Sequence, residues 1–449
     1  MGKVIRIIFL LIVFSSFSAE ANVVLDSLKQ GQQLGKEIEY LAPEEEISFG
    51  EVLKSQKFTQ NDTDVPNFGI KQNSVWIKFS VVNNQENPDY LLQIAYPILD
   101  EIDLYVQAEG GYEKISSGES KVFGSRKYKN PNFIFDLDLP KGKEKTFFIR
   151  IKSAEQLIVP ITISRSENVW WRLSQEELMS GMYLGAVLIM FLYNLFIFIS
   201  VKDRSYLYYV IYVGFVGLTQ IGIKGHNYQY LWPNSPDFQS KSLIYFACRS
   251  GVAALLFTKK FLQTRTNAPR WDRVLSALIL LLGIAFIITL FGEEQIGFQL
   301  MQMATTLFAI SILIVSFILR KGSSPAKFVF GSWSVLLIGA IVFALKDNGI
   351  LPYNNLTAYS MQVASIIEMA LLSFGLADRI NILTREKEIS QAAALAAAEE
   401  NERIIREQNV VLEQKVQERT HELLETNEEL HATLEYLKQN QTQLVAAEK

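Results

Sequence analysis

Cysteine is nearly absent from this chain, which has only Cys248 among its 449 residues. This single cysteine lies in an apolar stretch outside the N-terminal region. The N-terminal region therefore has no internal disulfide and depends on its hydrophobic core for stability. The three histidines are scattered and predict no metal site. Basic residues form no cluster and no nucleic-acid motif occurs, so we expect no nucleic-acid partner. No nucleophile or phosphate motif occurs, and we predict no catalytic residue and no cofactor.

Residues 1–21 have the pattern of a secretory signal peptide. Lys3 and Arg6 precede an apolar run, Ile7 to Phe14, that is too short to span a bilayer. Ala19 to Ala21 then provides a small-x-small cleavage site. An uncleaved anchor helix is the alternative interpretation. In both cases the polypeptide that follows is exported to the far side of the membrane.

Residues 22–174 alternate between apolar and polar side chains, and turn residues separate the alternating segments. The alternation is clear in 75–81, 102–106, 133–139 and 147–151. Many short strands at such spacing predict an antiparallel β-sandwich or jelly roll, here an exported sensor domain.

The strand face opposite the apolar one carries a mixture of aromatic and charged residues. Rings beside carboxylates and cations provide stacking surfaces and hydrogen bonds for a small-molecule or carbohydrate ligand. The alternative is that another part of the protein covers this face and its aromatic residues belong to a core. The candidate ligand-binding residues are Trp76, Lys78, Asp103, Tyr105, Asp136, Phe148 and Arg150.

Residues 175–379 contain seven apolar stretches, most of them long enough to cross about 30 Å of hydrocarbon as helices. They lie near 177–200, 204–224, 240–261, 272–291, 295–319, 326–346 and 354–378. Lys and Arg occur in alternate connections and are absent from 225–239, 292–295 and 347–353. Because Lys and Arg are enriched on the cytoplasmic side, this pattern predicts a seven-helix bundle in the inner (cytoplasmic) membrane, in contact with lipid. The N-terminal domain is then periplasmic or extracellular, and the C-terminus is cytoplasmic.

Two ionisable residues, Arg249 and Glu368, lie inside predicted membrane spans. Such groups are costly in a bilayer unless they pair or face the interior of the bundle. We predict that they form a polar pair, which serves either packing or switching.

Residues 380–449 are polar and contain no proline or glycine. Apolar residues recur every seventh position, with polar and β-branched residues at the matching a positions, which predicts a parallel dimeric coiled coil. A single solvated amphipathic helix is the alternative. The seam consists of Val416, Leu423, Leu430, Leu437 and Leu444.

Several motifs, in this order and spacing, resemble those of the bacterial seven-transmembrane receptors with diverse intracellular signalling modules. The resemblance implies a multi-domain membrane receptor that senses an extracytoplasmic ligand and transmits the signal to a cytoplasmic module. The motifs are VWIKF (75–79), YPILDEIDLY (96–105), RIKS (150–153), KDRSYLYY (202–209), YQYLWP (228–233), GILP (349–352), EMALLS (368–373) and LADRI (376–380).

The segment LEQKVQERTHEL (412–423) is similar to linkers that precede sensor histidine kinases and, in some relatives, diguanylate cyclases. No ATP-binding glycine box and no GG-[DE]-EF stretch occurs in the 449 residues. We therefore expect the chain to act on a histidine-kinase or cyclase-type output module, either attached or separately encoded, or on a response regulator, and whether the protein is an enzyme stays open. The predicted coiled coil implies a homodimer. A membrane transporter or channel with a periplasmic accessory domain is the alternative function.

Overall fold

The computed structural model describes residues 22–24, 33–86, 89–108, 110–348, 350–352 and 354–447. The predicted signal peptide, residues 1–21, lies outside them. The chain divides into two compact units, with the boundary between Ala377 and Asp378.

The N-terminal region is built from twelve described strands. Most are short, as the spacing of turn residues predicted. They are β1 (Asn22–Val24), β2 (Glu39–Leu41), β3 (Thr59–Gln60), β4 (Asn67–Ile70), β5 (Val75–Val82), β6 (Asp89–Ile94), β7 (Glu101–Ala108), β8 (Gly111–Ser117), β9 (Phe133–Asp138), β10 (Glu144–Lys152), β11 (Gln156–Ile158) and β12 (Ile161–Arg165).

Two sheets enclose the core of this β domain. The larger sheet has the order β3-β2-β5-β10-β7-β8, and β1 adds to β5 in parallel. The smaller sheet has the order β12-β6-β9, and β4 pairs with β11 separately. Apart from the β1–β5 pair, the described strand pairs are antiparallel, as predicted.

The alternating apolar residues fill the space between the sheets. Ile77 and Ile149 from the larger sheet and Leu92 from the smaller one are fully buried in one cluster. The side-chain period of two in a strand explains why the sequence identified this inward face correctly.

A short helix, α1 (Phe49–Lys54), lies on the outer face of the larger sheet. It begins with a capping box, in which the Glu51 carboxylate accepts a hydrogen bond from the Ser48 backbone N–H at 2.7 Å. Val52 of α1 is buried against the sheet.

Helices make up the rest of the described chain. They are α2 (Ser166–Val201), α3 (Arg204–Ile223), α4 (His226–Tyr230), α5 (Pro236–Phe261), α6 (Thr264–Asn267), α7 (Pro269–Leu290), α8 (Glu294–Leu319), α9 (Ser324–Asp347), α10 (Asn355–Ala358) and α11 (Ser360–Ala447).

Among the described residues, six helices are long and apolar enough to cross a membrane: α2, α3, α7, α8, α9 and α11. The predicted span at 240–261 forms helix α5, which is not one of the six. Its hydropathy is lowered by Arg249 at its middle, by Asp237 and Lys241 near its start, and by Lys259 and Lys260 near its end. Most of its apolar side chains are buried, so α5 is an interior helix of the bundle.

The second unit, from Asp378 onward, is helical through Ala447. The five predicted seam residues all lie on this helix and are 57% to 69% exposed. An exposed row of apolar side chains on a polar helix is the surface that a coiled-coil partner buries.

Candidate functional site

The predicted ligand-binding face of the β domain is largely covered. Trp76 and Phe148 are 1% and 5% exposed and pack beneath α1. Phe49 of α1 stacks on Tyr105, with ring centroids 4.0 Å apart. These rings therefore form a small second core, the alternative considered from the sequence, and a ligand cannot reach them in this conformation.

The charged residues of that face form ion pairs with one another and with their neighbours. Arg150 contacts Asp103 at 3.1 Å, Glu101 at 2.9 Å and Glu46 at 3.0 Å. Although burial opposes it, hydrogen bonds from Ser74 and Arg150 lower the pKa of Glu46 to about 2.

The other two predicted charges are also paired. Lys78 contacts Glu39 at 3.2 Å. Asp136 lies on β9 in the smaller sheet, where it binds Lys127 and Tyr128. The expectation that all seven residues share one surface is therefore wrong, because alternation does not reveal which strands belong to the same sheet.

A cavity of about 700 Å³ lies where the β domain meets the helices. Its walls come from the strand ends of the β domain, the start of α2, the ends of α3 and α9, α10, and the start of α11. Ten of its 31 lining residues are Asn or Gln, and four are aromatic. Ligand pockets typically measure about 300–1,000 Å³. We name this space the interdomain cavity.

Arg172 of α2 connects two strands in the wall of the interdomain cavity. Its guanidinium donates to Gln93 Oε1 and, at 3.1 Å, to Thr162 Oγ1. Gln93 is 1% exposed, and its amide nitrogen has no hydrogen-bond partner in the part of the chain that the structure describes. Because the oxygen is bound to Arg172, the unpaired atom of Gln93 is a donor.

Two lysines bring positive charge to the bundle side of the cavity. Lys346 is 5% exposed and forms an ion pair with Asp347 at 2.6 Å. Lys224 lies 4.9 Å from the centroid of the Tyr359 ring. Burial lowers the pKa of the lining residue His226, which is therefore uncharged near neutral pH.

Two carboxylates of α2 bind asparagine amides of the β domain. Asn132 donates to Glu176 at 3.0 Å, and Asn130 donates to Glu177 at 3.4 Å. The cavity wall thus contains hydrogen bonds that join the β domain to α2 of the bundle.

Buried polar contacts hold the first part of α11 within the bundle. Three tyrosines on one side of α3 donate to it: Tyr206 to the Leu376 carbonyl, Tyr209 to the Met369 carbonyl and Tyr212 to the Glu368 carboxylate. From α2, Asn194 accepts from Ser373 at 3.2 Å. Since α11 also lines the cavity at Met361 and Gln362, the cavity and these contacts act on the same helix.

The predicted pair of Arg249 and Glu368 does not form. Glu368 is fully buried and receives its hydrogen bond from Tyr212 at 3.1 Å. Arg249 is exposed and lies over aromatic rings, 4.6 Å from the centroid of Phe286. The pairing fails because the sequence places both residues at similar depth without indicating which way each side chain points.

A second contact between the β domain and the bundle centres on buried carboxyl groups. Glu119, 2% exposed, accepts a hydrogen bond from Gln239 of α5 at 3.0 Å. Trp232 in turn donates to the Gln239 oxygen at 2.7 Å, which fixes the amide orientation. Burial, and then the neighbouring Asp100, raises the pKa of Glu119 to about 8.

The neighbours of Glu119 are also perturbed. Burial raises the pKa of Asp100 to about 6 and raises that of Glu155 well above its usual range. One carboxyl oxygen of Glu155 has no hydrogen-bond partner among the residues that the structure describes. Burial lowers the pKa of the nearby Arg126 to about 10.

A β domain followed by helices of membrane-crossing length defines a multi-pass membrane protein. A family model described as 7TM diverse intracellular signalling matches residues 176–379. A second, described as 7TMR-DISM extracellular 2, matches residues 35–165. The chain belongs to the seven-transmembrane receptors with diverse intracellular signalling modules, as the resemblance of its motifs predicted. A comparison with curated proteins gives no match.

The interdomain cavity was missed by sequence reasoning. Its lining comes from segments as distant as Gln93, Asn132, Arg172 and Lys346, so no single pattern marks it. The one available signal is the density of Asn residues at 130–132 and 354–355, beside the predicted turns.

Proposed function

We propose that this receptor senses a small polar ligand outside the cytoplasm and transmits its presence through the membrane helices. The observation that carries the proposal is the composition of the interdomain cavity, whose walls come from the β domain and from four long helices. A ligand bound there contacts α11 directly through Met361 or Gln362. Closure of the β domain around the ligand would therefore shift the helix that leads out of the bundle.

The polar contacts on α11 determine how such a shift spreads. Its hydrogen bonds with Tyr206, Tyr209 and Tyr212 are buried, and breaking one without replacement costs about 1–3 kcal/mol. A displacement of α11 is therefore more favourable as a movement shared with α3 than as an independent slide. The ligand drives it only if it binds one arrangement more tightly than the other.

The membrane topology of the proposal has seven spans in the inner membrane. Helix α5 is the additional span that brings the six to seven. Its burial among the other helices supports a membrane-spanning position despite its charged residues. The Lys and Arg residues at 202–204, 259–273 and 320–327 lie on the cytoplasmic side, as does the C-terminus.

The segment after Asp378 is proposed to form a parallel dimeric coiled coil. Its exposed leucine row supports association with a second copy of the chain. The dimer would regulate a histidine-kinase or cyclase-type output module, acting through a response regulator in the former case. The family match supports this role over that of a transporter or channel.

The test uses a fusion of the full chain to a histidine-kinase catalytic module, continued in heptad register and reconstituted in nanodiscs. Ala340→Trp places a large ring in the cavity wall on α9. Ile338→Trp, on the same helix at a position 62% exposed, is the matched control. We expect Ala340→Trp to change the autophosphorylation rate severalfold while Ile338→Trp leaves it unchanged. Equal rates for the two variants would contradict sensing at the cavity.

A further inference from the structure

The hydrogen-bonding groups of the interdomain cavity that have no partner among the described residues indicate the chemistry of its ligand. We propose that the cavity binds an acidic, hydroxylated small molecule of the sugar-acid class, with its carboxylate on Lys224. This inference rests on the proposed function, because it takes the cavity to be the sensing site.

Lys224 is a cation of the cavity wall for which the described residues provide no counter-ion. Among the described residues its ammonium forms no hydrogen bond and no ion pair, and its nearest described interaction is with the ring of Tyr359. Lys346, by contrast, is neutralised by Asp347. Removing a cation from bulk water without a partner is unfavourable. We therefore expect the ligand to supply one carboxylate, which pairs with the Lys224 ammonium.

The carboxylates of the cavity do not satisfy Lys224. Burial lowers the pKa of Lys224, and Glu176 is the carboxylate that opposes this lowering most strongly. Glu176 nevertheless lies beyond ion-pair distance and binds the amide of Asn132. Glu177 binds the amide of Asn130. The acidic groups are thus engaged in joining the β domain to α2, and the ligand must supply the acceptor oxygens for Lys224.

The neutral lining indicates a ligand with hydroxyl groups. Among the described residues, the amide nitrogen of Gln93 is a donor without a hydrogen-bond partner, and Gln33 Oε1 is an acceptor without one. A hydroxyl both donates and accepts, so hydroxyl groups match a wall that contains five Asn and five Gln side chains, each of which carries a donor and an acceptor. Rings such as Trp171 and Phe343 offer apolar faces against which a sugar ring can stack.

An anionic lipid headgroup is the competing source of negative charge, since the cavity lies where the β domain meets the membrane helices. A lipid also brings acyl chains, for which a lining with ten Asn and Gln residues is poorly suited. The polar lining favours a water-soluble acid, and the experiment includes a lipid arm.

The test is binding to the purified full chain in phosphatidylcholine nanodiscs, measured by calorimetry. The probes are D-glucuronate and D-galacturonate, with D-glucose and D-galactose as their uncharged counterparts. We expect the acids to bind at least tenfold more tightly than the neutral sugars, because a charged hydrogen bond is replaced by a neutral one. Equal affinities, or no binding of either acid, would overturn the proposal.

Variants of Lys224 test whether this side chain binds the carboxylate of the ligand. Lys224→Met is expected to weaken acid binding about tenfold to hundredfold, while Lys224→Arg retains most of it. Lys71→Met, at an exposed position of the β domain, is the control and should bind like the wild type. Unchanged acid binding by Lys224→Met would overturn the assignment.

The lipid arm repeats the titration in nanodiscs that contain phosphatidylglycerol. Unchanged binding of the acids supports a soluble ligand, whereas complete loss of binding with phosphatidylglycerol would assign the cavity to a headgroup and overturn the proposal. None of these outcomes involves the kinase readout of Ala340→Trp. Failure of the charge assignment is therefore distinguishable from failure of sensing at the cavity.

Discussion

Replacing Glu119 with glutamine removes one titrating proton from the contact between the β domain and α5. The substitution keeps a side-chain oxygen that can accept from Gln239, as Glu119 does at 3.0 Å. The pKa of Glu119 is raised from 4.5 to about 8 by burial. Since one pKa unit corresponds to about 1.4 kcal/mol, ionised Glu119 costs on the order of 4–5 kcal/mol of folding free energy.

The sign follows from which state holds the proton. Below pH 4.5 Glu119 is protonated in both the folded and unfolded chains, so the stability contribution is fully present. As the pH rises towards about 8, the unfolded chain loses the proton while the folded chain keeps it, and stability falls. Above about 8 the loss is complete.

The assay is thermal unfolding of the full chain in detergent between pH 5 and pH 9. We expect wild type and Glu119→Gln to unfold at similar temperatures at the acid end, with Glu119→Gln more stable at the alkaline end. Glu113→Gln, at an exposed position of the same domain, is the control and should follow the wild type. Parallel pH profiles for wild type and Glu119→Gln would refute the reasoning.

Three further substitutions test packing and assembly. A Cβ on Gly339 would lie 2.3 Å from the Cβ of Ala364, so Gly339→Leu should force α9 from α11 and lower the thermal midpoint through about 1–3 kcal/mol of overpacking. Trp76→Ala should cost about 3–5 kcal/mol in denaturant unfolding, and a near-neutral result would contradict its place in a core. Leu430→Lys should abolish cross-linked dimers, whereas Glu428→Lys, away from the seam, should preserve them.

The sequence predicts the inward face of the β domain well but not what covers the outward face. Ile77 and Ile149 are in the core because side chains alternate strictly along a strand. That alternation also places Trp76 on the opposite face, yet it carries no information about Phe49, which reaches the same rings from a separate helix.

The sequence also predicts the helical bundle only in part. The apolar stretches of the sequence locate the long helices, because a membrane span needs about 20 apolar residues, although α5 is less hydropathic than the other six. It does not find the orientation of Arg249 or the tyrosines of α3 that contact α11, because these depend on helix rotation. The interdomain cavity likewise arises only when distant segments meet.

The central claim is that the β domain and the C-terminal helix lie on opposite sides of one membrane. Labelling with a membrane-impermeant maleimide tests it, starting from Cys248→Ser, which removes the only cysteine. In that background, Glu113→Cys should be labelled once the outer membrane is permeabilised. Glu428→Cys should be labelled only after the inner membrane is permeabilised as well. Labelling of both positions from the same side of the intact inner membrane would contradict the receptor topology.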